Sequence, residues 1–421
     1  MRVTSRRILF WGIELLLLVT FLPITQCLPS VIRWALQIGS ISFFIIGLSL
    51  EKNKRYVLGY FACVLFGVIY VYNVWHFNQS ITTCVFNVMA CFAFAYYGIV
   101  SATLDNQDGD YQRKVSITTI LIITVTALTT IVGLYKYPLA VRELGRVGSG
   151  YDTSGQAFLD LKNSYRLMNI ASWSIVYGIV FTVPWFINRF KDTKKYRYLI
   201  GVVIVLFCLL KAQLTIGIIL AALLLFFSLF KPSKKPFDVV VTMIILTIGI
   251  VLLLFCNEIL LFVIDFSNNH NLGMISNKLQ DLVYFLQGNQ TGDILARFER
   301  YTSSIDVFFE HPLTGISIYG VPYYGLFGNH SDFFDMLGYY GLFGVSVIVA
   351  IIIRYFRIIR TSRYINEKWR LIVPLFAFLA FFVLNPVWYS PQVFATAIML
   401  PCCAFANYRS HCNEATGDKY E

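Results

Sequence analysis

RKVSITTILIITVTALTTIVGLYK, Arg113 to Lys136, begins on two cations and carries no further charge from Val115 to Tyr135 before it ends on a third. A helix rises 1.5 Å per residue, so about 20 apolar positions cross a hydrocarbon core of about 30 Å. This stretch therefore reads as a transmembrane helix with basic flanks. Runs of the same kind recur at 8–25, 31–50, 56–75, 81–103, 115–135, 169–188, 197–211, 214–230, 238–257, 333–353, 371–384 and 391–408. The expected fold is an all-α integral membrane protein with about 12 transmembrane helices, forming a single polytopic domain over 1–421. Composition agrees: 57% of residues are hydrophobic, 14% are charged and the mean hydropathy is +0.66. A soluble domain is nearer half apolar and a quarter charged.

Alternate connections are basic: Arg2, Arg6 and Arg7, then EKNKR (51–55), RKV (113–115), RFKDTKKYR (189–197), KPSKK (231–235) and RYFRIIRTSRYINEKWR (354–370). The positive-inside rule puts these, and both termini, in the cytoplasm. The net charge of +11 thus sets topology, and nucleic acid is not an expected partner. The N-terminal run is long and lacks a small-residue cleavage site, so it reads as a retained first span. Most of the nine cysteines fall inside the spans as small apolar fillers, without disulfide or metal-site spacing.

Two outward connections are long. The first, 136–168, holds Arg142, Arg146 and Arg166 against the positive-inside bias, an excess that calls for an anionic partner. The second, 258–332, is net acidic, and a connection of that length usually has structure and a task. Within it, DILARFERYTSSIDVFFEHPLTG (293–315) predicts an amphipathic helix. Ile294, Phe298, Tyr301, Ile305, Phe308 and Phe309 step by three and four along one face. Arg297, Arg300 and Ser304 line one edge of that face, where a guanidinium fork suits a lipid-linked phosphate. The alternative is an interfacial helix whose arginines snorkel to headgroups. Pro312 and Gly315 end the helix.

FGNHSDFFDMLGYYGLFG (327–344) then leads into a span. Neighbouring residues on a helix point about 100° apart, so His330, Ser331 and Asp332 cannot form a triad among themselves. Ser331 or Asp332 is the expected N-cap. His330, an ionisable group at a span end, is a candidate general base. Lys211, at the outer junction of two spans beside Gln213 and Thr215, is a weaker candidate that also reads as a snorkelling cation. His76, His270, His311 and His411 have no evident partner. DNQDGD (105–110) lacks the spacing and terminal Glu of a calcium loop and reads as a turn.

Arg297, Tyr301, HPLTGIS (311–317), NHSDFF (329–334) and YGLFG (340–344), in that order, resemble the O-antigen polymerase and O-antigen ligase superfamily of bacterial surface polysaccharide assembly. The likeness covers about 50 residues; elsewhere it is one of topology. Ser317 stands where the family has the second Gly of its loop motif, and Lys211 in LLKAQLT stands where the family has an arginine. The resemblance implies an inverting glycosyltransferase of the bacterial cytoplasmic (inner) membrane that needs neither metal nor cofactor. Its donor would be a glycan on undecaprenyl diphosphate, and its outer-leaflet neighbours would be membrane lipids, a flippase and a chain-length regulator. Arg297, with Arg300, would hold the diphosphate, with Lys211, Arg142, Arg146 and Arg166 as further anion contacts. His330 would orient or deprotonate the acceptor hydroxyl, supported by Tyr301 and Asp332. QCLPS (26–30), the first outer loop, has no Asp-x-Asp metal motif. The product would be O-antigen of lipopolysaccharide, capsule or exopolysaccharide. A polymerase is the favoured reading, a ligase is an alternative, and a polysaccharide flippase is another; a flippase would work by alternating access and need no long outer loop.

Overall fold

The computed structural model describes residues 5–51, 54–75, 81–103, 109–145, 156–229, 256–269, 273–286, 293–316, 331–361, 365–385 and 390–405. Among them there is no strand. The helices are α1 (Ser5–Phe21), α2 (Ser30–Ser49), α3 (Lys54–Trp75), α4 (Ile81–Thr103), α5 (Gly109–Lys136), α6 (Ala140–Gly145), α7 (Gln156–Leu167), α8 (Trp173–Val180), α9 (Val183–Thr193), α10 (Arg197–Ala212) and α11 (Thr215–Leu229). They continue as α12 (Cys256–Asn269), α13 (Gly273–Leu286), α14 (Asp293–Glu310), α15 (Asp332–Thr361), α16 (Ile365–Leu384) and α17 (Pro391–Phe405). A π-helical turn, Ala395–Met399, lies inside α17.

Ser30–Ser49, Thr82–Ala102 and Asp110–Lys136 are each long and apolar enough to cross a membrane. Asp332–Ser346 and Val349–Thr361 of α15, bent by 47° from each other, pass the same test as a pair. The chain is a helical membrane protein. The expected span at 238–257 lies almost wholly outside the described residues.

The threonines of α5 show why a span tolerates so many hydroxyls. Thr119 and Thr130 donate to carbonyls one turn back, Val115 at 2.7 Å and Thr126 at 2.6 Å, so neither is an unpaired donor in an apolar medium. Thr126 instead donates to the carbonyl of Phe21, the last residue of α1. α1 and α2 pack closely through small residues. A Cβ on Gly12 would come within 2.6 Å of the Phe44 nitrogen, and one on Gly47 within 2.7 Å of the Leu9 nitrogen.

The single span expected at 169–188 is two helices. Pro184 near the start of α9 has no N–H to continue the ladder and sets the break at Phe181–Thr182, where Thr182 donates to the Ile179 carbonyl at 2.6 Å. α15 is interrupted too, at Gly341, whose φ of 64° and ψ of −154° lie in a region essentially restricted to glycine.

Contacts sort the connections into two ends. At one, Ser5 donates to Glu51, Gln112 donates to the Ser101 carbonyl, and Lys191 donates to the carbonyls of Ser228 and Leu229. Trp369 donates to the Phe227 carbonyl, and the guanidiniums of Arg189 and Arg370 both sit over the Phe405 ring. Arg370 also grips Asp192 through two bonds, of 2.7 and 2.5 Å, with both side chains mostly buried. This fork joins α9 to α16. Asp192→Asn should lower thermal stability in detergent by about 2 kcal/mol, because it leaves a buried guanidinium without its carboxylate. An unchanged melting temperature would show that the pair contributes nothing. At the other end gather the 3-10 turn Pro23–Cys27, α6, α7 and the α10–α11 junction, with α13 and α14. Asn169 helps close that end: its side chain meets the Ile24 nitrogen and Thr129, and it aims α8 back into the bundle.

Candidate functional site

α14 ends at Glu310, where HPLTG was expected to end it, and its packed side takes only part of the apolar stripe. Arg297, Tyr301, Ser304 and Phe308 face the protein, with Ser304 fully buried, while Phe298 and Phe309 point outward. The apolar pattern is thus divided between the protein and the outside. The Arg297 guanidinium donates to the Tyr301 hydroxyl, which donates onward to the carbonyl of Leu384 at the end of α16. The Tyr301 ring also packs at a tilt against Phe334 of α15, at 5.2 Å between centroids. Burial pushes the Tyr301 phenol up; the cation of Arg297 works against that, and the carboxylate of Asp335 adds to it. Ser304 donates to Asp335 Oδ1 at 3.3 Å and, one turn back, to the Arg300 carbonyl. Arg297 is thus held on a tyrosine anchored to the ends of two other helices. No carboxylate pairs with it among the described residues.

Two further cations share its field. Arg142 of α6 donates to the Gln213 carbonyl at 2.8 Å, and the Gln213 side chain accepts from the Met274 N–H of α13 at 3.2 Å. Gln213 caps α10 in a left-handed conformation, φ 52° and ψ 40°, which turns its carbonyl and side chain toward the two other elements. Lys278 lies one turn after Met274 on the same face of α13. Burial and then the Arg297 charge pull its ammonium below the ordinary lysine value; Asp281, 3.9 Å away, opposes this, and Arg142 adds to the depression. Tyr177 of α8, buried, lies within the field of both Arg297 and Arg142. Arg142, Lys278 and Arg297 therefore converge from three segments, two of them more than 100 residues from the first.

The other expected residues are placed as follows. Ser331 is the N-cap of α15: its hydroxyl accepts from the Phe334 N–H at 3.2 Å. Asp332 and Asp335, both buried, fill the first turn, where a helix N-terminus favours negative charge. Arg300 stands on the exposed side of α14. The Lys211 ammonium sits over the rings of Tyr135 and Phe207, at 4.2 and 5.7 Å, and is not brought to Arg297. Arg166 belongs to a separate patch on α7. Burial, then the neighbouring charge of Arg33, lowers its affinity for its proton, with Cys27 opposing, and it bonds Asn163 at 3.4 Å. His330 and Arg146 lie outside the described residues, as does most of DNQDGD.

Lys278 was legible only as the one lysine of 258–332. Gln213, Tyr177 and Asp335 carried no signal, because their roles come from contacts distant in sequence.

The depression of Lys278 has a sign that can be tested. A bound anion would restore its proton, so affinity should fall as pH rises toward the ordinary lysine value of about 10.4. We expect a diphosphate diester, whose own charge is constant in this range, to bind the wild type more weakly at pH 9.5 than at pH 7.5 by calorimetry. Lys278→Gln should bind about tenfold more weakly at pH 7.5 and show a flatter profile. A wild-type affinity independent of pH would remove Lys278 from the site.

Comparison of the chain with family models, with curated proteins and with solved structures found no match.

Proposed function

We propose that the protein is a polymerase of surface polysaccharide repeat units, moving a growing glycan from undecaprenyl diphosphate onto the next lipid-linked unit. The observation that carries this reading is the convergence of Arg142, Lys278 and Arg297 at the end of the bundle opposite the basic connections. That end is the outer face on the positive-inside rule. Three cations, of which Arg297 meets no carboxylate among the described residues, suit a diphosphate leaving group.

In the proposed step the acceptor hydroxyl oxygen attacks the anomeric carbon from the face opposite the diphosphate. The C–O bond to the diphosphate breaks, and its electron pair departs on the diphosphate oxygen, so configuration inverts. The hydroxyl proton passes to His330, two residues before the buried first turn of α15. Arg297 and Arg142 stabilise the charge that develops on the leaving group, and Lys278 adds a third positive charge. Tyr301 positions Arg297 and does not itself react.

Deletion of the gene in its host, followed by gel analysis of the surface glycan, tests the reading. In a lipopolysaccharide-making host a polymerase deletion leaves chains capped at one repeat unit. Full-length chains stranded on their carrier would instead assign a ligase, and repeat units held on the inner leaflet a flippase.

A further inference from the structure

α14 has three sides rather than two. At about 100° per residue, Arg297, Tyr301, Ser304 and Phe308 form the side packed on the bundle. Phe298, Ile305 and Phe309 lie about 100° around from them, and Glu299, Asp306 and Glu310 about 100° further. Phe298 is 55% exposed and Phe309 73% exposed. A helix that touched only protein and water would have no use for a phenylalanine side between the two.

The level of this side is set by its anchors. Tyr301 bonds the last residue of α16, and Ser304 bonds a carboxylate in the first turn of α15. After α14 the chain stays on α15. The Leu342 and Phe343 N–H groups donate to the Pro312 and Leu313 carbonyls at 2.9 and 3.2 Å. Leu313 and Phe343, 69% and 67% exposed, extend the apolar surface of Phe309 toward the pair of α15 segments that is long and apolar enough to cross a membrane. The exposed apolar side of that pair adjoins that of α14 through Leu313 and Phe343.

We propose that α14 lies in the bilayer interface at the end of the bundle opposite the basic connections, with Phe298, Ile305 and Phe309 immersed in lipid and Glu299, Asp306 and Glu310 in water. The occupant of this face is the bilayer, not a protein. Immersion does not depend on the polymerase reading. One consequence does rest on it: Arg297, next around the helix from the immersed side, stands at headgroup level, so a lipid-borne diphosphate reaches it from the plane of the membrane.

Thiol accessibility tests the immersion. Phe298→Cys, Phe309→Cys and Asp306→Cys would be made in the full chain and reconstituted into phosphatidylethanolamine–phosphatidylglycerol vesicles. Each would be labelled with a membrane-impermeant maleimide, with the parent protein giving the background of the nine native cysteines. A thiol in hydrocarbon does not form the reactive thiolate. Asp306→Cys should label at least about tenfold faster than either phenylalanine position, and all three should label alike after denaturation in SDS. Equal rates in vesicles would overturn the proposal by placing the face in water. Protection in host membranes but rapid labelling in vesicles would overturn it in favour of a protein partner. Both readouts are independent of glycan synthesis, so they stand or fall apart from the polymerase reading.

Discussion

Arg297→Ala should reduce glycan polymerisation by about two to three orders of magnitude while leaving membrane levels unchanged, on the polymerase reading. Losing one donor aimed at a developing anion typically costs about 3–4 kcal/mol. The structure adds detail to that figure. Arg297 is held by the Tyr301 hydroxyl, which is itself held by Leu384, so its guanidinium is positioned before any ligand arrives. Lysine has no fork to meet Tyr301 and an anion together, and Arg297→Lys should recover little of the loss. Tyr301→Phe keeps the ring on Phe334 but removes the hydroxyl, and should cost about tenfold, near 1.4 kcal/mol. Arg300→Ala, on the exposed side, should change polymerisation by less than about threefold, the range of surface substitutions. The measurement is the glycan ladder from deletion strains carrying each variant at equal expression. If Arg297→Ala restores the wild-type ladder, the cation cluster is not the diphosphate site.

The second large effect is structural. Gly341→Ala and Gly315→Ala should each destabilise the protein by about 2–4 kcal/mol, read as a lower melting temperature in detergent and a smaller folded yield. Both glycines have φ of 64°. A Cβ at Gly315 would stand 2.2 Å from the Tyr339 carbonyl carbon, and one at Gly341 would stand 2.6 Å from the Leu313 carbonyl carbon. Each would collide with backbone, which cannot rotate away. The two positions belong to one device: α15 breaks at Gly341, and the carbonyls of Pro312 and Leu313 receive the Leu342 and Phe343 N–H groups. Because both changes disrupt that same junction, the double variant should cost less than the sum of the two. Wild-type stability in Gly341→Ala would mean the break in α15 is not needed.

Much of this molecule could be read in one dimension. Runs such as Val115–Tyr135 must be helical in lipid, since only a helix satisfies every backbone group within its own segment. That argument needs no partner, so α2 and α4 emerged close to their expected bounds, while α5 ends as expected but begins earlier, at Gly109. Ser331 was legible as a cap for the same reason: capping is a contact with a residue three positions away. Arg297 and Arg142 could be singled out by charge sign and place alone.

What could not be read is which face of a helix turns inward and which distant side chains meet. In lipid an apolar stripe no longer identifies the packed side, because the solvent is as apolar as the core. So the expected apolar face of α14 is divided: Phe298 and Phe309 turn outward, while Tyr301 turns inward with Arg297 and Ser304. Lys211 has the right residue type and position along the chain, yet its helix presents it to Tyr135 and Phe207. Gln213, two residues on, is turned by its left-handed backbone to hold Arg142 and α13 together. Sequence alone determined that the chain is helical and membrane-embedded, and which cations were available to a site. Only the tertiary structure decided which of them converge, because that depends on helix rotation and on hydrogen bonds between residues far apart in sequence.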